Sequence, residues 1–266
     1  MNRVGTVVGL WRYPVKSMLG EEVAQAEVGD KGLIGDRGYA LVDTRTGRVL
    51  SAKNPKRWPG MFRLRASYVS PPLPGRPLPP VRIEFPDGRI VESTETGAAG
   101  QISSFLGGDV RLVTGTETRS AVEVYTPPIP GLREGFTEFR VPPGPFHDST
   151  PIHLVTEATL ARLGALYPQG RFLASRFRPN FLVETGGPPA FIEQGWIGGT
   201  LALGSVRVRI VKPCSRCVMT TLPQGDLPED RGILQTVVSE ADGDVGVKGP
   251  VTKAGIVRRG DPVLLE

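Results

Sequence analysis

Apolar and polar residues alternate along much of the first half of the chain, at the two-residue period of a strand with one buried face. Residues 4–11 form an apolar, β-branched run. Tyr13-Pro14-Val15-Lys16-Ser17 interrupts it, because proline removes a donor and fixes φ. Residues 38–43 predict a second strand, which Thr44-Arg45-Thr46-Gly47 turns into residues 48–51 as a hairpin. In residues 61–69, Phe62, Leu64 and Ala66 alternate with Arg63, Arg65 and Ser67. Residues 81–85 and 89–92 flank Asp87-Gly88, a hairpin turn signal. The proline-rich stretch at 71–80 reads as a stiff surface excursion. A helix is predicted over 98–106, with Ile102, Phe105 and Leu106 on one face, and Leu112 and Val113 end a strand. Residues 114–144, rich in Pro, Gly and Glu, predict a looser stretch.

The second half mixes periods. Residues 152–155 predict a short strand, and Thr156 caps a helix over 157–166 whose buried stripe is Leu160, Leu163 and Leu166. Residues 180–184, 201–212 and 262–265 predict strands. In the long one, Val206, Val208 and Ile210 alternate with Arg207, Arg209 and Lys212. This pattern predicts an α+β fold, mainly β, with short helices. Length suggests one or two domains, and the looser stretch places a boundary near residue 120, giving 1–120 and 121–266.

Composition narrows the classes. The chain holds 34 Gly and 26 Pro, nearly a quarter of its residues, so long helices are largely excluded. No apolar run reaches membrane-spanning length and no secretory signal opens the chain, so a cytoplasmic protein away from membranes is expected. A net charge of +5, mostly scattered Arg, argues for anionic ligands. Without a Lys/Arg block it argues against nucleic acid. Two Cys and two His exclude a four-cysteine iron–sulfur cluster within this chain and a disulfide scaffold. A nucleophile elbow, a P-loop, an H-E-x-x-H helix and a dinucleotide fingerprint are absent from the sequence.

Candidate chemistry gathers in a few segments. Both cysteines lie in Pro213-Cys214-Ser215-Arg216-Cys217. They read as small buried hydrophobes, as a redox pair, or as one thiolate metal ligand whose ionised form Arg216 favours. A zinc half-site lacks its second cysteine pair. In Arg176-Phe177-Arg178-Pro179-Asn180, proline holds Arg178 extended, which suits an arginine fork for phosphate or carboxylate as well as a solvated basic edge. Lys16 and Ser17 offer donors at a strand exit, Arg37 follows a tight turn at Gly35-Asp36, and Asp148, Ser149 and Thr150 precede a strand. Each of these also reads as an ordinary turn or cap.

Taken together, these segments resemble the MOSC superfamily (molybdenum cofactor sulfurase C-terminal domain) with its N-terminal β-barrel domain in front. The resemblance rests on Tyr-Pro-Val-Lys-Ser at 13–17, Gly-Asp-Arg at 35–37, Phe-Arg-Pro-Asn at 177–180, Cys-Ser-Arg-Cys and Thr-Thr within 214–221, and Gly-Asp-Pro-Val at 260–263. They occur in the family's order over nearly the whole chain. The subfamily it points to is that of the mitochondrial amidoxime reducing component and its bacterial relatives.

The resemblance implies an N-terminal β-barrel domain docked on a MOSC β-barrel domain, and a molybdenum–molybdopterin cofactor. Cys217 would be the metal ligand and the catalytic cysteine. Lys16, Ser17, Arg37, Arg178, Asn180, Ser215 and Arg216 would contact the pterin, with Asp148, Ser149 and Thr150 beside them. Because one cofactor needs many donors, Lys16, Ser17 and Arg37 are expected to meet Cys217 in one pocket. The implied activity is reduction of small N-hydroxylated or N-oxygenated compounds, with electrons from a separate ferredoxin-, flavin- or cytochrome-type protein. The alternative is a sulfur or cofactor carrier using Cys217. A monomer without pyridoxal phosphate or an iron–sulfur cluster is expected. Two segments depart from the family pattern: Thr220-Thr221-Leu222-Pro223-Gln224 replaces Thr-Thr-Val-Asp-Pro, and Gly246-Val247-Lys248-Gly249 replaces an aromatic-rich Phe-Gly segment.

Overall fold

The strand Asn2–Arg12 opens the chain, yet it lies in the middle of the sheet that the second half builds. A computed structural model describes residues 1–115 and 121–266, so the boundary expected near residue 120 lies outside the described residues. The main sheet runs in the order Lys212–Ser215, Asp244–Gly249, Ile152–Thr156, Phe181–Glu184, Asn2–Arg12, Pro262–Leu265, Thr200–Leu203, Val206–Arg209 and Val251–Lys253, and Glu21–Glu22 pairs beside Asn2–Arg12. Among the described strands of this sheet only the Ile152–Thr156 and Phe181–Glu184 pair is parallel, across the connection that carries the helix Glu157–Leu166. The first strand kinks twice, at register shifts next to Gly5 and Gly9. A Cβ on Gly5 would collide with the Glu184 carbonyl oxygen, so the neighbouring backbone requires glycine there.

Val7 and Leu10 from this strand are buried among Leu154, Phe181, Val183, Leu201 and Val263. Gln25–Gly29 adds a further pairing to the second half, on Gly255–Arg258. The remainder of the first half has its own core. Tyr39–Asp43 pairs with Val110–Thr114, and Arg65–Tyr68, Val81–Glu84 and Ile90–Glu92 form a three-stranded sheet. Val15, Met18, Leu41, Phe62, Leu64, Ile83 and Ile102 fill the space between, and Met219 from the second half joins them. Among the described residues no helix is long and apolar enough to cross a membrane.

Several expectations are corrected. The 201–212 alternation covers two antiparallel strands, Thr200–Leu203 and Val206–Arg209, joined at Gly204-Ser205, and the next strand begins at Lys212. The expected hairpin return of residues 48–51 forms through the bridge Val42 to Val49, with Asp43 N donating to Arg48 O (3.0 Å) and Leu50 N to Leu41 O (2.8 Å), but is too short to count as a strand. Residues 61–63 form a 3-10 turn rather than a strand. The stretch read as loose contains the hairpin Ala121–Thr126 and Gly135–Arg140. Its Val122, with Val141 and Phe146, packs on Ala40 and Val42. In the helix Glu157–Leu166 the buried face is Ala158, Thr159 and Leu163, while Leu160 and Leu166 are half-buried.

Candidate functional site

Among the described residues, three of the four non-glycine residues with left-handed backbone are Ser17, Arg37 and Arg178, at φ of 63°, 50° and 56°. Such positions cluster where a fold forces side chains into one place. Here they surround a single cavity of about 260 Å³ between the two halves. Lys16, Ser17, Arg37, Asp148, Ser149, Thr150, Arg178, Asn180, Ser215, Arg216 and Cys217 all line it.

Backbone stitching explains the convergence. The loop after the first strand is held by Tyr13 N donating to Asp36 Oδ1 (2.8 Å), Arg37 N to Tyr13 O (2.7 Å) and Lys16 N to Tyr39 O (2.8 Å). Lys16 Nζ then reaches into the second half, to Phe146 O (2.9 Å) and Asp148 Oδ1 (2.6 Å). Lys53 binds the other carboxylate oxygen of Asp148 at 2.9 Å. Burial opposes the charge on Asp148, but the two ammonium groups prevail and hold its carboxyl well below the usual range. Burial also lowers Lys16, against Asp148. Burial likewise opposes the charge on Lys53, and there the attraction of Asp148 and then Cys217 prevails and raises it.

Arg178 corrects the sequence reading, because it is left-handed at the C-terminal cap of the helix Ala174–Phe177 rather than extended. That conformation turns its carbonyl to Arg37 Nη2 (3.3 Å) and the His153 ring (3.4 Å). Its guanidinium lies over the rings of Tyr13 and Phe62 and donates to Met18 O at 2.6 Å. No carboxylate pairs with it among the described residues, and burial followed by the nearby Arg37 lowers it to about 10. A buried cation paired only with a carbonyl favours an anion in the adjoining space. Arg176 is different. It is fully buried and donates to the carbonyls of Arg171, Thr220, Leu222 and Pro228, so it ties segments together away from the cavity. Asn180 lines the cavity, but its amide is occupied by Asp36, Trp11 O and the backbone N–H of His153.

The cysteines divide. Cys214 is buried, while Cys217 is half-buried. Arg216 was expected to favour the Cys217 thiolate, but its Nη1 donates to Cys214 Sγ at 2.7 Å and its Nη2 to Phe177 O at 2.8 Å. Burial opposes the Cys214 thiolate, yet Arg216, then His153 and Lys248, hold this thiol well below its ordinary value. Val218–Thr221 follows as a 3-10 turn, which places Met219 in the first half's core and so fixes Cys217 at the junction.

Against this geometry, the profile of the MOSC domain matches residues 143–264, and that of the MOSC N-terminal beta barrel domain matches residues 4–87. The chain belongs to the MOSC domain family. It is 28% identical to mitochondrial amidoxime reducing component 2 of Rattus norvegicus over 99% of this chain and 84% of that protein. The same identity and coverage hold for mitochondrial amidoxime reducing component 2 of Homo sapiens. With mitochondrial amidoxime-reducing component 1 of Homo sapiens it is 26% identical over the whole of this chain and 84% of that protein. The crystal structure of the YUAD protein from Bacillus subtilis aligns over 98% of this chain and 94% of that one, with a TM-score of 0.49 and 13% identity.

Residues beyond the sequence reading also line the cavity: Lys53, Phe146, His147, His153, Phe177, Lys212, Met219 and Lys248. Lys53 and Phe146 had no local signal, since their roles come from pairing across the halves. Lys248 did have one. It sits in the segment that departs from the family pattern, and its Nζ lies 3.3 Å from Ser149 Oγ.

Proposed function

We propose that this MOSC protein is a molybdenum-cofactor-binding oxidoreductase that reduces small N-hydroxylated or N-oxygenated compounds, with electrons from a separate donor protein. The observation that carries the reading is the meeting of one half-buried thiol, Cys217, with cationic side chains from both halves in one cavity. The donor set suits a phosphate-bearing, hydrogen-bonding heterocycle. Three residues of the wall, His147, Thr150 and Arg216, each carry a buried polar atom without a protein partner (Nε2, Oγ1 and Nε), which is consistent with a wall that a ligand completes. Among the described residues no group of three His, Cys, Asp or Glu side chains could hold a metal. One thiolate therefore suits a metal whose other sulfurs come with its cofactor.

In this reading Cys217 holds the metal, and the cofactor supplies two-electron chemistry at it. Lys16, Ser17, Arg37 and Arg178 hold the anionic end, and Ser215, Arg216 and Thr150 offer donors and acceptors to the ring. Asp148 acts through Lys16 and Lys53, whose ammonium groups it positions, with Ser149 beside them. Asn180 positions Asp36, and thereby Arg37. The names of the relatives, amidoxime reducing components, support the substrate class and their extent supports carrying it over the whole chain.

Metal analysis of the purified chain, with pterin fluorescence after oxidation, tests the reading. Stoichiometric molybdenum and pterin, and amidoxime reduction with a chemical electron donor, are expected. Sulfane sulfur on Cys217 without molybdenum would replace the enzyme by a carrier.

A further inference from the structure

His147 lines the cavity, and its buried Nε2 has no hydrogen-bond partner. Its backbone is clamped next to two cations, because Phe146 N donates to Arg37 O (2.8 Å) and Phe146 O accepts from Lys16 Nζ (2.9 Å). The other ring nitrogen, Nδ1, lies 4.0 Å from Asp36 Oδ2, too far for a hydrogen bond but near enough to favour a charged ring. The charged groups that face it are Asp36 and Arg37 from the turn before Tyr39–Asp43, Lys16 from the loop after the first strand, and Asp148 from its own segment. Burial, with Arg37 and Lys16, outweighs the two carboxylates and lowers the ring to about 4, so without a ligand it is neutral at physiological pH.

We propose that His147 is a further ligand-responsive residue of this cavity, and that its ring takes up one proton when an anionic group seats beside Lys16 and Arg37. The inference rests on the reading of the cavity as an anion-binding cofactor site. A phosphate-like dianion beside Lys16, Arg37 and the His147 ring offsets the repulsion from both cations and so favours the charged ring. The same group that the cations attract thus converts the imidazole into a third cation, and binding becomes linked to pH.

Sulfate is a suitable probe, since it carries no titrating proton of its own near pH 6. Calorimetric titration of sulfate into the ligand-free full chain, at pH 6 in two buffers of different ionisation enthalpy, counts the protons taken up. Uptake approaching one proton per sulfate is expected, with affinity weakening severalfold between pH 5.5 and 7.5. In His147→Gln sulfate should still bind, with little uptake and a flat pH profile. Ring NMR of the unaltered protein gives the same answer without a variant, since the chain has only two histidines. The His147 ring should shift toward imidazolium when sulfate is added at pH 6. Binding without uptake, an unmoved ring, or uptake that survives in His147→Gln, where Lys16 or Lys248 would then be the acceptor, would overturn the proposal. No sulfate binding by the unaltered chain would instead overturn the anionic-site reading beneath it.

Discussion

Ser17, Arg37 and Arg178 each hold a left-handed backbone, which costs about 1–2 kcal/mol per non-glycine residue. Among the described residues, the Ser17 hydroxyl has only a 3.4 Å contact to Ser51 Oγ to compensate. Ser17→Gly should therefore raise stability by about 1 kcal/mol in urea titration while lowering pterin retention. Arg176 and Arg178, two residues apart, should separate in the opposite sense. Arg176→Ala leaves four carbonyls without their donor and should destabilise by roughly 3 kcal/mol or more. Arg178→Ala leaves only Met18 O, so its main effect should fall on pterin and molybdenum content. Cys217→Ala should abolish molybdenum retention, and unchanged metal occupancy would refute its role. Cys214→Ala should be milder, lowering pterin content by loosening Arg216. Proline after Arg178 suggested extended backbone, but the Ala174–Phe177 cap and the carbonyl contacts to Arg37 and His153 select the left-handed well instead.

Single elements were legible where local chemistry decides them. The helix Ala98–Leu106, the helix Glu157–Leu166 and the strand Pro262–Leu265 fall where capping and periodicity predict. Thr156 accepts from Thr159 N at 3.1 Å as the cap, and its hydroxyl also donates to the buried Glu193 at 2.7 Å. Burial raises the Glu193 carboxyl despite the hydroxyls of Thr159 and Thr156. Thr156→Ala removes both interactions and should cost about 2 kcal/mol in denaturant titration, roughly twice an ordinary cap. The paired strands Thr200–Leu203 and Val206–Arg209 read as one because Leu201 and Leu203 face the same core as Val206 and Val208. The hairpin Ala121–Thr126 and Gly135–Arg140 was hidden by the proline- and glycine-rich residues between its strands.

At the scale of the whole molecule, the first strand commits the two halves to each other. Asn2–Arg12 lies between Phe181–Glu184 and Pro262–Leu265, so residues 121–266 alone lack a central strand and would expose Phe181, Val183 and Val263. That fragment should be unfolded or aggregated, and fusion of residues 1–34 should restore dispersed amide NMR signals. Acid stability of the ligand-free chain should follow His147. Its folded value near 4 lies below the ordinary 6.5, so the unfolded chain binds more protons between those limits. Stability is then full above about pH 6.5 and falls as pH drops toward 4, by up to about 3 kcal/mol. His153 acts in the same direction, and the paired Asp148 adds its own loss only below the ordinary carboxylate range. Denaturant titrations from pH 7.5 to 4.5 should show this slope, and His147→Gln should reduce it to the share that His153 contributes.

By itself the sequence determined the class of fold, most of the short elements, and the family, because periodicity, capping and ordered motifs are local properties. It also placed eleven candidate residues that the structure gathers at one cavity. Tertiary structure alone decided what those residues do for one another. Arg216 attends Cys214, Asn180 serves Asp36, and Lys53 and His147 enter the wall through contacts between the halves. Such roles depend on distances between residues far apart in the chain, and burial then sets which of them carry charge. Neither quantity is written in any local stretch of sequence.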